Sequence, residues 1–319
     1  MKVLANDGIS KSGIDALQAG GFEVITTKVA QEQVANFINE NNVSVLLVRS
    51  ATKVRRDIID GCPGLKIIGR GGVGMDNIDV EYARSKGIQV INTPASSSES
   101  VAELVFAHLF SGVRFLYDSN RQMPLEGDTN FESLKKSYAA GIELRGKTLG
   151  IIGFGRIGQA VAKIGLGLGM RVIASNRSQR TIAINVAFYD GQSVTVEIAT
   201  APIEEIFRTA DFISLHVPAQ QDYVISAKEF EMMKDGVGVI NCARGGVIDE
   251  VALVDALDSG KVAFAGIDVF ENEPKPAVQV LMHPKVSLTP HIGAATLEAQ
   301  DRIGTKLAEQ IIGILKSGA

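Results

Sequence analysis

Residues 147–176 read KTLGIIGFGRIGQAVAKIGLGLGMRVIASN, and the architecture of the chain can be read outward from them. An apolar run ends in GFGRIG, a helix-length segment starts at once, and a second apolar run, RVIASN, follows. Strand, glycine turn, helix and strand in that order are the half-unit of a doubly wound α/β sheet. The glycines have separate tasks: Gly153 makes the tight turn, Gly155 lets backbone approach a ligand, and Gly158 lets helix pack on strand. The unbonded N–H groups of the first helical turn then face an anion, here the pyrophosphate of a dinucleotide. The pattern alone is weak: Gly69, Gly71 and Gly74 in GRGGVG match it as well, but MDNID follows them and delays the helix.

The same alternation continues on both sides. Upstream, KVLAND (2–7), FEVITT (22–27), VSVLLVR (43–49), LKIIGR (65–70) and IQVINT (88–93) read as strands, with helical stretches such as 30–41 and 79–87 between them. The second series is KTLGIIG (147–153), RVIASN (171–176), DFISLHV (211–217), VGVINCA (237–243), AFAGIDVF (263–270) and KVSLTP (285–290). Continuous apolar strands separated by helices indicate parallel sheets covered on both faces, so two series predict two doubly wound α/β domains. A long helix is expected to begin in SSSESVAELVFAHLFSGVRFLYDSN, capped by Ser97 or Ser98 with glutamate in its first turns. The domain crossover is placed at its start, and the closing helix, 295–316, is expected to cross back. The predicted division is a discontinuous, flavodoxin-like substrate domain of 1–96 and 293–319 and an inserted Rossmann domain of 97–292. The segment 121–141 is polar and irregular, read either as an arm reaching a partner subunit or as a surface loop. Residues 188–202 form a hairpin-like insert with a turn at Asp190-Gly191.

Composition agrees and narrows the field. A chain of 319 residues, 45% hydrophobic and 21% charged, has the balance of a two-domain globular protein. A net charge of −4 argues against nucleic acid or anionic membrane as a partner; KVRR (53–56) reads as a solvated helix start. Cys62 and Cys242 fit reduced thiols, and neither has metal-ligand spacing to another cysteine or histidine, so no metal is expected. MKVLANDGIS lacks a signal-peptide core, and no stretch approaches the roughly 18–20 apolar residues of a membrane span. The expected location is the cytoplasm.

Three segments late in the chain carry candidate chemistry: NCARGGVIDE (241–250), GIDVFENEP (266–274) and TPHIGAAT (289–296). Together with GFGRIG they resemble the D-isomer-specific 2-hydroxyacid dehydrogenase family, with Arg244, Glu273 and His291 inside family signatures. VRSAT (48–52), IIGRGGVGMDNID (67–79), INTP (91–94) and AEL (102–104) place the resemblance nearest that family's phosphoglycerate dehydrogenase branch. It covers essentially the whole chain, and departs from the family at Asn176 and at the 188–202 insert. The regulatory domain of longer members is also expected to be absent.

The resemblance implies a hydride transfer between a 2-hydroxy acid and nicotinamide, and the residues suit it. His291 suits the proton step, since a base of that pKa typically contributes ~10²–10⁴-fold. By resemblance, Glu273 orients the imidazole and favours its charged form. Arg244 is a planar, permanently charged fork for the substrate carboxylate and carbonyl oxygen. The implied cofactor shell is Gly153, Gly155, Arg156, Ile157, Gly158, Asn176, Arg177, Val217, Cys242, Ala243, Asp268, Gly293, Ala294 and Val73. Cys242 has no expected nucleophilic use, His216 is read as structural, His108 as a core or interface residue and His283 as a surface residue. NAD is the family default, but an NAD site carries Asp or Glu at the end of its second strand. Asn176, followed by Arg177 and Arg180, removes repulsion against a 2′-phosphate and leaves NADP open.

The implied substrate contacts are Arg49, Ser50, Arg70, Gly72 and Gly74. Two arginines after strands of the first domain suit a phosphate at the far end of the substrate, pointing to 3-phosphoglycerate oxidised to 3-phosphohydroxypyruvate in serine synthesis. Two alternatives remain: an NADPH-dependent glyoxylate or hydroxypyruvate reductase, and a dinucleotide-sensing corepressor-like protein. By resemblance the chain is expected to form a homodimer through the dinucleotide-binding domain.

Overall fold

Buried β-branched runs set the strands, and glycine-bearing turns end them. The computed structural model describes residues 1–317. Two compact units emerge: Met1–Ser98 with the chain from Ala294 onward, and Glu99–Gly293.

In the first unit the strands are β1 (Lys2–Ala5), β2 (Glu23–Ile25), β3 (Val43–Val48), β4 (Ile67–Arg70) and β5 (Gln89–Asn92). Among the described residues they form one parallel sheet in the order β2-β1-β3-β4-β5, the flavodoxin-like arrangement. Alternate residues fill opposite faces. Leu4, Leu46 and Ile68 pack with Ile38 and Ile58 on one side, while Val3, Val45 and Ile67 pack with Leu17, Ile303, Leu307 and Ile311 on the other. The last three come from the closing helix, Leu297–Ser317. That helix lies close against helix Lys11–Ala19 because two glycines meet: a Cβ on Gly13 would fall 2.7 Å from the Gly304 Cα.

The second unit has β6 (Thr148–Ile152), β7 (Arg171–Ser175), β8 (Thr181–Ala187), β9 (Ser193–Ala199), β10 (Phe212–Leu215), β11 (Val237–Asn241), β12 (Val262–Ile267) and β13 (Val286–Leu288). Its main sheet, among the described residues, is parallel in the order β13-β12-β11-β10-β6-β7. The order reverses between β6 and β10, the switch point at which open α/β sheets bind ligands. The hairpin-like insert begins earlier than the expected 188–202: it is an antiparallel β8-β9 hairpin over 181–199 that turns at Gly191, φ 86°, with Ile184 and Ile198 buried in this unit's core. At the β7 edge, Ala174 makes a parallel bridge with Thr200, just after β9.

The helical prediction after the crossover needs correction. One helix covers Ser98–Val113 and a second covers Leu116–Glu126. Phe115 between them adopts φ 55°, a left-handed conformation no helix continues through, and its ring lies 5.9 Å from that of Tyr138. The segment 121–141 is likewise not irregular: it holds the end of the second helix and another at Phe131–Ser137.

Candidate active site

The glycine turn after β6 has the geometry its residues imply. Gly153 takes φ 93°, and a Cβ there would fall 2.5 Å from the His216 carbonyl oxygen. A Cβ on Gly158 would overlap the Gly153 carbonyl oxygen, whereas one on Gly155 would meet nothing within 4 Å. Gly155 thus opens the helix Arg156–Gly167 with exposed backbone. A cavity of about 800 Å³ borders this turn, walled by Ser175–Arg180, Ala201–Ile203, His216–Pro218 and Tyr223 among others. That volume is ordinary for a cofactor site, and a free helix N-terminus on its rim suits a pyrophosphate. These residues fit a dinucleotide.

Asn176 serves the turn itself: its Oδ1 accepts the Phe154 N–H at 2.9 Å and its Nδ2 donates to the Phe154 carbonyl at 3.4 Å. Arg177, Ser178 and Arg180 remain exposed on the cavity rim. His216 is a poor proton carrier, because burial pushes it down to about 3; its Nε2 lies 2.8 Å from the Ser214 hydroxyl.

Two adjacent strand ends, those of β12 and β13, bring together the candidate acid–base pair. His291 Nδ1 is 2.8 Å from Glu273 Oε2, and Glu273 Oε1 accepts the Phe270 N–H at 3.0 Å. Both side chains are partly exposed, at 40% and 37%, so solutes can reach the pair. His291 takes φ 56°, a conformation a histidine keeps only when its surroundings impose it. Asp268, just beyond β12, does so. Its backbone oxygen accepts the His291 N–H at 2.8 Å. Its carboxylate accepts from the Thr289 hydroxyl at 2.6 Å, the Ile292 N–H at 2.8 Å and the Gly293 N–H at 3.0 Å. Asp268 is 1% exposed, and its carboxylate holds the histidine loop.

Arg244 follows β11, the strand beside β12. Asn241 fixes its loop, donating to the Arg244 carbonyl at 2.9 Å and accepting the Ala243 N–H at 3.0 Å. Gly245 lies so near the Phe270 carbonyl oxygen that any Cβ would overlap it, so the Arg244 loop touches the segment that holds Glu273. Ala243 and Cys242 are buried here, and burial raises the Cys242 thiol well above its usual range, which leaves it unreactive.

In the first unit, Arg49 follows β3 and Arg70 ends β4, with Val48 and Arg70 paired in register. The two side chains therefore leave neighbouring strand ends. The Arg49 backbone is fastened by residues the sequence did not flag: Asp7 accepts its N–H at 2.7 Å, and Asn77 donates to its carbonyl at 2.8 Å. Asp7 also accepts from the Thr52 N–H and hydroxyl. Their signal was position alone, each just beyond a strand or a glycine loop. The Arg70 guanidinium covers Gly72, where a Cβ would overlap it. Gly74 and the exposed Val73 continue that loop, and Ser50 is exposed beside Arg49. Ala294 begins the return of the chain to this unit and accepts from Gln300 at 2.7 Å.

Two histidines are structural. His108 is buried between the Ser287 and Thr289 hydroxyls, and burial lowers its pKa. His283 is not a surface residue as expected: it is 8% exposed, because its Nδ1 accepts the Lys285 N–H and its Nε2 faces Asp258 at 3.3 Å. Among the described residues there is no group of three His, Cys, Asp or Glu placed to hold a metal, and no helix long and apolar enough to cross a membrane.

Comparison with known proteins bears directly on this geometry. Residues 106–293 match the family described as D-isomer specific 2-hydroxyacid dehydrogenase, NAD binding domain. The chain is 42% identical over 317 residues to a hydroxypyruvate reductase of Thermotoga maritima, covering 97% of each. It is 41% identical over 318 residues to a D-3-phosphoglycerate dehydrogenase of Methanocaldococcus jannaschii, covering 99% of this chain and 58% of that protein. In structure it is similar to an NADPH-dependent glyoxylate/hydroxypyruvate reductase from Sinorhizobium meliloti, with a TM-score of 0.80 and 27% identity over 99% of this chain and 95% of the other.

Proposed function

The chain belongs to the D-isomer-specific 2-hydroxyacid dehydrogenase family, and on that premise we propose that it interconverts 3-phosphoglycerate and 3-phosphohydroxypyruvate, a step towards serine. The observation that carries hydroxy-acid redox chemistry is the His291–Glu273 pair at 2.8 Å. With Nδ1 held by Glu273, Nε2 is the nitrogen left to take the substrate hydroxyl proton. The Glu273 carboxylate then offsets the charge gained by the ring. Arg244 grips the substrate carboxylate and polarises the oxygen that becomes the carbonyl. A bound nicotinamide supplies the acceptor for the hydride leaving the same carbon.

The phosphate reading rests on Arg49 and Arg70 at neighbouring strand ends and on the similarity to the phosphoglycerate dehydrogenase of M. jannaschii. The end-to-end match to the T. maritima hydroxypyruvate reductase favours a second reading, reduction of the unphosphorylated 2-oxo acid. For the cofactor, NAD is the family's default, and the Arg177, Ser178 and Arg180 rim without a carboxylate at 176 supports use of NADP as well. A homodimer through the dinucleotide-binding unit fits the exposed Leu116, Leu125 and Phe131 on its helices.

Steady-state assays with NADH and NADPH against 3-phosphohydroxypyruvate, hydroxypyruvate and glyoxylate test both readings. Arg49→Ala and Arg70→Ala are expected to raise KM for the phosphorylated acid by at least about tenfold, as loss of a charge-assisted bond implies, with little change for hydroxypyruvate. Equal effects on both acids, or a wild-type preference for hydroxypyruvate, would favour the second reading. Strong NADH selectivity would remove the NADP proposal.

A further inference from the structure

NCARGGVIDE ends in a glutamate that the chemistry above leaves without a task. Glu250 is the first residue of helix Glu250–Asp258, and it is 8% exposed. Its Oε1 accepts the Glu271 N–H at 2.9 Å, while Glu271 Oε1 accepts the Glu250 N–H at 3.1 Å. Each carboxylate thus holds the other residue's backbone, making a two-bond clasp. One side of the clasp is the segment running from Arg244 to the helix; the other is the segment running from Asp268 to Glu273. The Glu271 charge raises the Tyr223 hydroxyl above its usual range, and Tyr223 lines the dinucleotide cavity. The clasp therefore links the loops that follow β11 and β12.

We infer that Glu250 and Glu271 are positioning residues, whose reciprocal bonds set the Arg244 loop against the Glu273–His291 pair. The inference rests on the proposed roles of Arg244, Glu273 and His291. Its physical basis is that a misplacement of about 1 Å in a catalytic group can cost on the order of 10²-fold in rate, and that loops not tied together sample such shifts readily. The helix is independently capped by Asp249, which accepts from Val251 and Ala252 N–H groups, so helix formation alone does not require Glu250. Nor does stability favour the charge. Burial, together with the Glu271 and Glu273 charges, raises the Glu250 carboxyl above its usual range, against a smaller opposing effect of the Glu271 N–H bond. Because its folded pKa is raised, its ionisation at neutral pH costs the fold stability.

That separation makes the inference testable. Glu250→Gln keeps an Oε1 acceptor, whereas Glu250→Ala and Glu271→Ala each remove one of the clasp's two bonds and so open it. Expected are a kcat/KM for the 2-oxo acid within about threefold of wild type in Glu250→Gln, with an undiminished Tm, and a fall of about tenfold or more in each alanine variant. The double alanine variant should be no worse than the single ones, since the two groups make one joint. Amide exchange read without turnover should quicken across 242–250 and 268–273 in the alanine variants but not in Glu250→Gln. If Glu250→Ala does not fold, Glu271→Ala, at a partly exposed site, carries the same comparison. Wild-type exchange and kcat/KM in the alanine variants, additive losses in the double variant, or a Glu250→Gln as impaired as the alanine would each overturn the clasp. The predicted exchange pattern in a protein that turns over no 2-oxo acid would instead overturn only the functional reading.

Discussion

Burial assigns different work to histidines that are alike in sequence. His216 is forced neutral by desolvation, and His108 is tied to two hydroxyls, while His291 stays accessible and bonded to a carboxylate. The LTPHIGAAT context marks His291 as a candidate, but its left-handed backbone and the Asp268 anchor become visible only in three dimensions. Asp268 is where a small change should do most damage. Asn at 268 keeps one acceptor but turns an amide N–H₂ towards a backbone N–H, leaving a buried donor unsatisfied. Asp268→Asn is expected to cost about 1–3 kcal/mol of stability and to lower kcat at least about tenfold as the His291 loop loosens. Denaturant unfolding and steady-state kinetics would measure both; a variant with wild-type kcat would show that the loop does not depend on that carboxylate.

Among the elements, strands were legible and helix ends were not. Each strand run named from sequence corresponds to a strand of the two main sheets, because continuous apolar runs have few other places to go. The Asp190-Gly191 turn signal likewise marks the β8-β9 tip. The break at Phe115 gave no such signal, since it depends on where the ring finds Tyr138 rather than on local propensity. The break creates a helix, Leu116–Glu126, with no buried residue of its own. Leu116 is 55% exposed, Leu125 73% and Phe131 54%, large apolar side chains left in solvent. If a second copy covers them, Leu125→Asp with Phe131→Asp should convert a dimer to monomers in sedimentation equilibrium. A wild-type protein that sediments as a monomer would refute the dimer.

For the molecule as a whole, buried histidines predict acid lability. Between 6.5 and about 3 the unfolded chain binds a proton at His216 that the folded chain excludes, so stability rises with pH through that window and falls on acidification. His108 has the same sign. Asp211 and Glu229, both lowered by bonded partners against the cost of burial, also lose their contribution as pH falls. Glu250 opposes them, because its raised pKa makes protonation favour the fold. The sum should be a Tm that drops as pH is lowered from neutrality, with a shallower slope in His216→Gln. Identical slopes in variant and wild type would show that His216 does not contribute.

By itself the sequence determined the α/β class, the glycine turn that suits a dinucleotide, and the candidate residues for the proposed chemistry, because strand patterning and phosphate-type turns are local and leave few alternatives. Tertiary structure alone decided how those residues are held: Asp268 as the anchor of His291, Asp7 and Asn77 as the fastening of the Arg49 loop, Glu250 and Glu271 as a clasp, and burial as the property that leaves one histidine accessible. Such roles depend on which strand ends become neighbours, and strand order is a property of the folded sheet rather than of any stretch of chain.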